Sequence, residues 1–528
     1  MRTEDIYPKC KRLLNPDLWR SLTGSAELNN NPEKFSVVLE KYSETAQIPE
    51  YLPSLAEIEL AVYRMRSISD LRQEEVTRLS VNPTLNLLEL KWKNLVHIFN
   101  HSHEDTDNKP EHGNEMLMLW RHPDTGEEFI EPAESENLLV LKMIVEDIPA
   151  ETIAAAGNVP VGAVDEAVDR AIRKGLLLIP GSLIKRDPGF VIESIKVDDQ
   201  YMQAKVFTLQ WHVTQACDLK CRHCYDRTDR SYLDLDQGLR ILDDLRDFCH
   251  SRYVYGHVTF SGGNPLLYPY FKDIYSAAAE KGFSVSILGN PAPKARVEEL
   301  AKIYHPSYYQ VSLEGLNEHN DYIRGPGHFE KVISFLKILK DLNIYSMVML
   351  TLTKDNINQV LPLAEKLRNH TDHFTFNRLS QVGEGANLKP PIKDEYRAFL
   401  KEYSDAAQGN PIMGLKDNLF NILRYDNDNK TTGGCTGFGC GAAFNFLTLL
   451  PDGEVHACRK FPSLLGNILD DSLSDIYDSE SARQYRLGST SCTSCHLKPS
   501  CGGCMASAYS NGLDIFKERD PYCFLCQT

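Results

Sequence analysis

Three cysteines, at 217, 221 and 224, constrain this 528-residue chain more than any other feature. They stand in Cys217-Asp218-Leu219-Lys220-Cys221-Arg222-His223-Cys224-Tyr225, directly after an apolar, strand-like run at 207–213. The C-x3-C-x2-C spacing puts three thiols on one loop at a strand end. Thiolates hold iron-sulfur clusters, and a 4Fe-4S cluster has four irons to ligate. Three local cysteines therefore leave one iron open to another ligand. A structural zinc site is the alternative; it normally closes with a fourth Cys or His, and His223 stands inside the loop where it could serve. Disulfides fit less well, because Met1-Arg2-Thr3-Glu4-Asp5 lacks the apolar core of a secretion signal.

From 204 to 385 strand-like and helical patterns alternate. Strands are expected at 207–213, 257–260, 284–288, 309–313, 345–352 and 374–377, with amphipathic helices between them. Repeated βα units make a parallel sheet, and sites in such folds lie at the C-terminal ends of the strands. Three segments fall there besides the cysteine loop, Ser261-Gly262-Gly263-Asn264-Pro265, Ser312-Leu313-Glu314-Gly315 and Arg378, and Arg324-Gly325 follows the second of them. Cysteine usage then rises sharply. Of fourteen cysteines, nine follow residue 434, as Cys435-x4-Cys440, Gly453-x4-Cys458, Cys492-x2-Cys495-x5-Cys501-x2-Cys504 and Cys523-x2-Cys526. Zinc knuckles are the plain reading of such x2 pairs.

The triplet, the glycine pair and the Ser-Leu-Glu-Gly segment together resemble the radical S-adenosylmethionine (SAM) enzymes. That resemblance implies a partial (β/α)6 barrel in which SAM chelates the open iron. One electron splits SAM, and a 5′-deoxyadenosyl radical takes a hydrogen atom from substrate. It implies SAM contacts at Tyr225, Gly262, Gly263, Asn264, Ser312, Glu314, Arg324 and Arg378. Asn264 stands where the family usually has Glu, and its carbonyl would accept from the SAM ammonium; the two arginines would offer cations to a carboxylate. The later cysteines resemble the SPASM domain of radical peptide maturases, with two auxiliary 4Fe-4S clusters. Carried over residue by residue, Cys435, Cys440, Cys458 and Cys504 would hold the first, and Cys492, Cys495, Cys501 and Cys523 the second, with Cys526 able to exchange with Cys523.

Upstream, residues 1–105 read as a mostly helical domain, with helices at 32–42 and 53–65 and a strand at 85–92, and 101–112 as a polar linker. A hairpin signal around His122-Pro123-Asp124-Thr125-Gly126, three short helices over 137–175 and a small wing at 176–184 follow. This 110–190 order is that of a winged helix, and DNA binding is its obvious reading. Asp165, Glu166 and Asp169 in the third helix, and a net charge of −16, argue against nucleic acid as a partner. The order also resembles the leader-recognition element of ribosomal-peptide maturation systems, which implies a leader peptide added as a strand to the hairpin edge. The remaining segments are a linker at 386–434 and the cluster domain at 435–528.

No apolar run approaches the roughly 20 residues that span a bilayer, so no membrane partner and a cytoplasmic location are expected. The expected activity is hydrogen abstraction from a ribosomally made peptide, with a thioether, heterocycle or crosslink as product and a reductant such as flavodoxin or ferredoxin as electron source. The wording of the cysteine motif also resembles the selenobiotic-type maturases. A sulfatase-maturing oxidase and a winged-helix iron-sulfur redox sensor remain open at this point.

Overall fold

The computed structural model describes residues 2–25, 28, 31–43, 48–68, 76–100, 109–195, 197–425 and 430–525. The chain divides into two compact units, residues 1–181 and 182–528.

In the first unit the strands are β1 (Ser80–Val81), β2 (Asn86–Lys93), β3 (Glu111–Arg121), β4 (Glu128–Pro132) and β5 (Leu177–Leu178). β2, β3 and β4 form one antiparallel sheet with β3 in the middle. Successive side chains of β3 point to opposite faces, and both faces are apolar. Leu117 and Leu119 pack with Ile58, Ala61, Val62 and Met65 of the helix Leu52–Ser67. Met118 and Trp120 pack with Val140, Leu141, Ala171 and Leu176 of the helical segment that follows the hairpin. That segment holds the expected three helices, Ser135–Val145, Ala150–Gly157 and Val161–Arg173.

Two expectations change here. The 1–105 and 110–190 regions share one sheet, in which β2 pairs antiparallel with β3 and takes up the backbone hydrogen bonds on its second edge. The wing at 176–184 is a short strand, β5, paired with β1. Of the expected 101–112 linker, 101–108 lies outside the described residues. His112 belongs to β3, with its ring 4.8 Å from that of Trp92.

In the second unit, β6 (Val206–Thr214), β7 (Tyr255–Gly262), β8 (Ser284–Leu288), β9 (Tyr309–Ser312), β10 (Ser346–Leu352) and β11 (His373–Arg378) are parallel and ordered as in the sequence. These are the six expected strands of an α/β parallel core. Helices cover the sheet, so its strands read as near-continuous apolar runs. The sheet does not stop at β6. β12 (Phe446–Leu449) adds to β6 in parallel, and β13 (Glu454–His456) and β14 (Leu464–Asn467) follow antiparallel, giving nine strands. The cysteine-rich region thus shares the core's sheet. The 386–434 stretch, expected as a linker, contains the helices Lys393–Gly409 and Phe420–Tyr425. Phe399, Tyr403 and Phe420 surround Phe376 of β11, with ring centroids 5.1–6.1 Å away. Among the described residues no helix is long and apolar enough to cross a membrane.

Candidate active site

The C-terminal ends of the parallel strands open into a cavity of about 1330 Å³, lined among others by Cys217, Cys221, Cys224, Tyr225, Gly262 and Ser312. The cysteine loop leaves β6, and the turn after β7 holds it in place. Gly263 N–H donates to the Thr214 carbonyl and Asn264 N–H to the Ala216 carbonyl, each at 2.8 Å. This close backbone contact is what the two glycines permit. A Cβ on Gly262 would lie 2.2 Å from the Thr214 oxygen, and one on Gly263 2.3 Å from the Ala216 oxygen. Gly262 also has φ +131°, which side chains resist. We expect Gly263→Ala to push the cysteine loop off its strand, at a cost of about 1–3 kcal/mol from overpacking. Lower iron content and a lower unfolding midpoint would register it.

The Asn264 side chain has two partners within the protein. Its carbonyl accepts from the Leu266 N–H at 3.3 Å, and its amide donates to Asp218 at 3.1 Å. It is 5% exposed, so the residue braces the loop. Asn290, unnoticed in the sequence, donates to the same Asp218 oxygen at 2.6 Å and reaches to 3.7 Å from Cys217 Sγ.

The residue that could close a zinc site is turned elsewhere. His223 Nε2 lies 2.8 Å from Glu314 Oε1. Glu314, 1% exposed, also accepts from Arg324 Nε and Nη2 at 2.9 and 2.6 Å and from the Thr351 N–H at 2.7 Å. Burial alone would push its carboxyl up, but His223, Arg324 and the Thr351 amide hold it well below the usual carboxylate range. Its carboxylate is therefore held by the protein's own donors, and most of the Arg324 fork is engaged with it.

Arg378 is likewise no free cation. Its Nε donates to Asp417 at 2.9 Å and its two terminal nitrogens to Asp520 at 2.8 and 2.6 Å, all within the protein interior. Ser312, Tyr225, Arg324 and Arg378 all line the cavity. The Tyr225 ring lies 5.7 Å from the Arg459 guanidinium and 6.2 Å from the ring of His212, a buried histidine pushed down to about 3 chiefly by burial.

The three loop cysteines are free thiols, and burial raises Cys217 and Cys221 above their ordinary range. Binding iron must displace those protons. Among the described residues no three His, Cys, Asp or Glu side chains converge tightly enough for one metal ion.

The later cysteines separate into two groups. Cys435, Cys440, Cys458 and Cys504 line one cavity of about 60 Å³. Cys492, Cys495, Cys501 and Cys523 line another of about 200 Å³. Each cavity takes thiols from distant parts of the sequence, and Cys526 lies outside the described residues. Burial pushes Cys440 up to about 12 and Cys458 and Cys492 up to about 11. Lys416 and Lys460 line the smaller cavity too, and burial brings the Lys416 ammonium down to about 8. Neither lysine carries a periodic or motif signal in the sequence.

Comparison with known proteins agrees with this geometry. The radical SAM superfamily model matches residues 211–367, and the SPASM iron-sulfur cluster-binding domain matches 440–505. The antilisterial bacteriocin subtilosin biosynthesis protein AlbA of Bacillus subtilis is 27% identical over 58% of this chain and 68% of its own length. Mycofactocin maturase MftC of Mycolicibacterium smegmatis is 28% identical over 60% and 82%. The AdoMet-dependent heme synthase of Methanosarcina barkeri is 26% identical over 60% and 95%. Among solved structures, Streptococcus suis SuiB bound to precursor peptide SuiA superposes with a TM-score of 0.50 at 18% identity, covering 78% of this chain and 96% of that one. At that identity the likeness concerns the fold.

Proposed function

We propose, on the premise that this chain is a radical SAM enzyme with a SPASM domain, that it modifies a ribosomally made precursor peptide. The observation that carries this reading is the joint presence of a cysteine loop open to a large cavity and two further four-cysteine cavities in one unit. The relatives named as a bacteriocin biosynthesis protein and a mycofactocin maturase, and a fold-mate crystallised with its precursor peptide, support a peptide substrate.

In this reading Cys217, Cys221 and Cys224 hold the SAM-site 4Fe-4S cluster. Cys435, Cys440, Cys458 and Cys504 hold one auxiliary cluster, and Cys492, Cys495, Cys501 and Cys523 the other. The clusters and SAM supply one-electron chemistry and a carbon-centred oxidant when bound. The protein supplies the rest. The Gly262-Gly263 turn fixes the cysteine loop, and Ser312 and Tyr225 face the reaction space. An electron donor such as flavodoxin or ferredoxin completes the system.

The first unit is read as the leader-binding module. β3 already has both neighbours, whereas β4 pairs on one side only within its sheet. An extended leader can add to such an edge through main-chain hydrogen bonds. The test uses the full chain and peptides encoded beside its gene. A precursor that binds, and that gains a defined mass change with SAM and reductant, is the expected result. Failure of all such peptides to bind would remove the peptide reading, and the heme-synthase relative would then direct the search to a non-peptide substrate.

A further inference from the structure

The sulfur of Cys221 has a charged neighbour whose position the surrounding residues fix. Arg324 Nη1 lies 3.7 Å from Cys221 Sγ. The guanidinium reaches it from the last turn of the helix Asn317–Arg324. That helix is joined to the cysteine loop by the Arg222 N–H to the Ile323 carbonyl at 3.0 Å and by Arg222 Nε to the Tyr322 carbonyl at 2.9 Å. Glu314 grips the other side of the fork with one oxygen, which it shares with His223. Its second oxygen is fixed by the Thr351 amide, and its own backbone by Asn320 and Asn356 at 3.1 and 2.9 Å.

Arginine keeps its charge at any working pH and presents its N–H groups in a rigid fork. Here two nitrogens hold Glu314, and the third is left facing sulfur. The Arg324 side chain is only 11% exposed, so water screens its charge weakly.

We propose that Glu314 and His223 make Arg324 a positioning residue for the cluster at Cys217, Cys221 and Cys224, where its N–H to the Cys221 sulfur raises that cluster's reduction potential. An electron added to the cluster increases its negative charge, and a fixed cation at a ligating sulfur favours the reduced form; hydrogen bonds to the sulfurs are a recognised lever on such potentials. The inference deepens the cluster reading above and rests on it. It also reassigns Arg324, which the family resemblance would give to a ligand carboxylate.

The test is a redox titration of the reconstituted full-length holoenzyme without SAM, followed by electron paramagnetic resonance. The SAM-site signal is first identified as the one that SAM addition perturbs, since only that cluster has an open iron. Arg324→Gln is expected to keep its iron and to titrate at a more negative potential than wild type. Arg324→Lys, which keeps the charge without the fork, is expected to fall between them. Equilibrium dialysis of SAM runs in parallel. An unchanged midpoint in a fully loaded Arg324→Gln protein overturns the proposal, and with it a loss of SAM affinity would return Arg324 to the ligand. If Arg324→Gln does not load, Arg324→Lys carries the comparison, and a midpoint equal to wild type overturns the proposal. A wild-type chain with no SAM-responsive cluster would instead remove the cluster reading itself.

Discussion

Replacing Cys224 by alanine is expected to abolish cleavage of SAM while leaving the other two cysteine cavities loaded. In the proposed reading the loop supplies three ligands and leaves the fourth iron to SAM, so loss of one thiol is expected to release the cluster. The iron content should fall from about twelve to about eight atoms per chain, four for each cluster. Formation of 5′-deoxyadenosine should drop to the level without enzyme, because in the proposed reading the electron reaches SAM through this cluster. The Cys217→Ala and Cys221→Ala proteins should behave alike. Cleavage surviving in all three would mean that the loop is structural. Replacement of Cys492 or Cys440 should lower iron by a similar amount, and any SAM cleavage that survives should no longer be coupled to product formation.

The largest expected effect on stability belongs to Arg378→Met. The guanidinium joins the end of β11 to Asp417 and, through a bidentate pair, to Asp520. Asp520 in turn accepts from the Cys504 and Tyr522 amides at 2.9 and 3.0 Å, so the pair organises backbone beside both later cysteine groups. Methionine there would leave two buried carboxylates without a cation, a loss of about 3–5 kcal/mol. Thermal unfolding should show a large fall in the midpoint, with loss of iron from the cavities that contain Cys504 and Cys523. Asp417→Asn, which leaves the bidentate pair intact, should cost distinctly less. Equal effects of the two substitutions would contradict this account of Arg378.

Local patterns made the parallel core readable. The six strands β6 to β11 follow from βα alternation, and the Cys217 loop from spacing alone. The division of eight later cysteines into two interleaved sets came from resemblance, and the same two sets line separate cavities. What escaped the sequence depends on partners far apart along the chain. β12 pairs with β6 although nothing in 446–449 names its neighbour. β2 joins the β3–β4 hairpin across a polar stretch that reads as a linker.

The ionised residues show the same limit more sharply. Glu314 and Arg378 at strand ends, and Arg324 at the end of the helix that follows Glu314, carry the right types for a ligand, yet Glu314 pairs with Arg324 and Arg378 with Asp417 and Asp520. A buried charge must find a partner, and the sequence does not say whether that partner is a ligand or the fold. Asn264 escaped for a related reason, since its side chain serves the turn that carries it and the neighbouring Asp218.

The most direct measurement of the central claim follows a hydrogen atom. Reduced holoenzyme is incubated with SAM and a deuterated precursor peptide encoded beside the gene, and the 5′-deoxyadenosine is analysed by mass spectrometry. The account predicts 5′-deoxyadenosine that carries deuterium from the peptide, together with a peptide of altered mass. Intact SAM, or unlabelled 5′-deoxyadenosine beside an unchanged peptide, would contradict it.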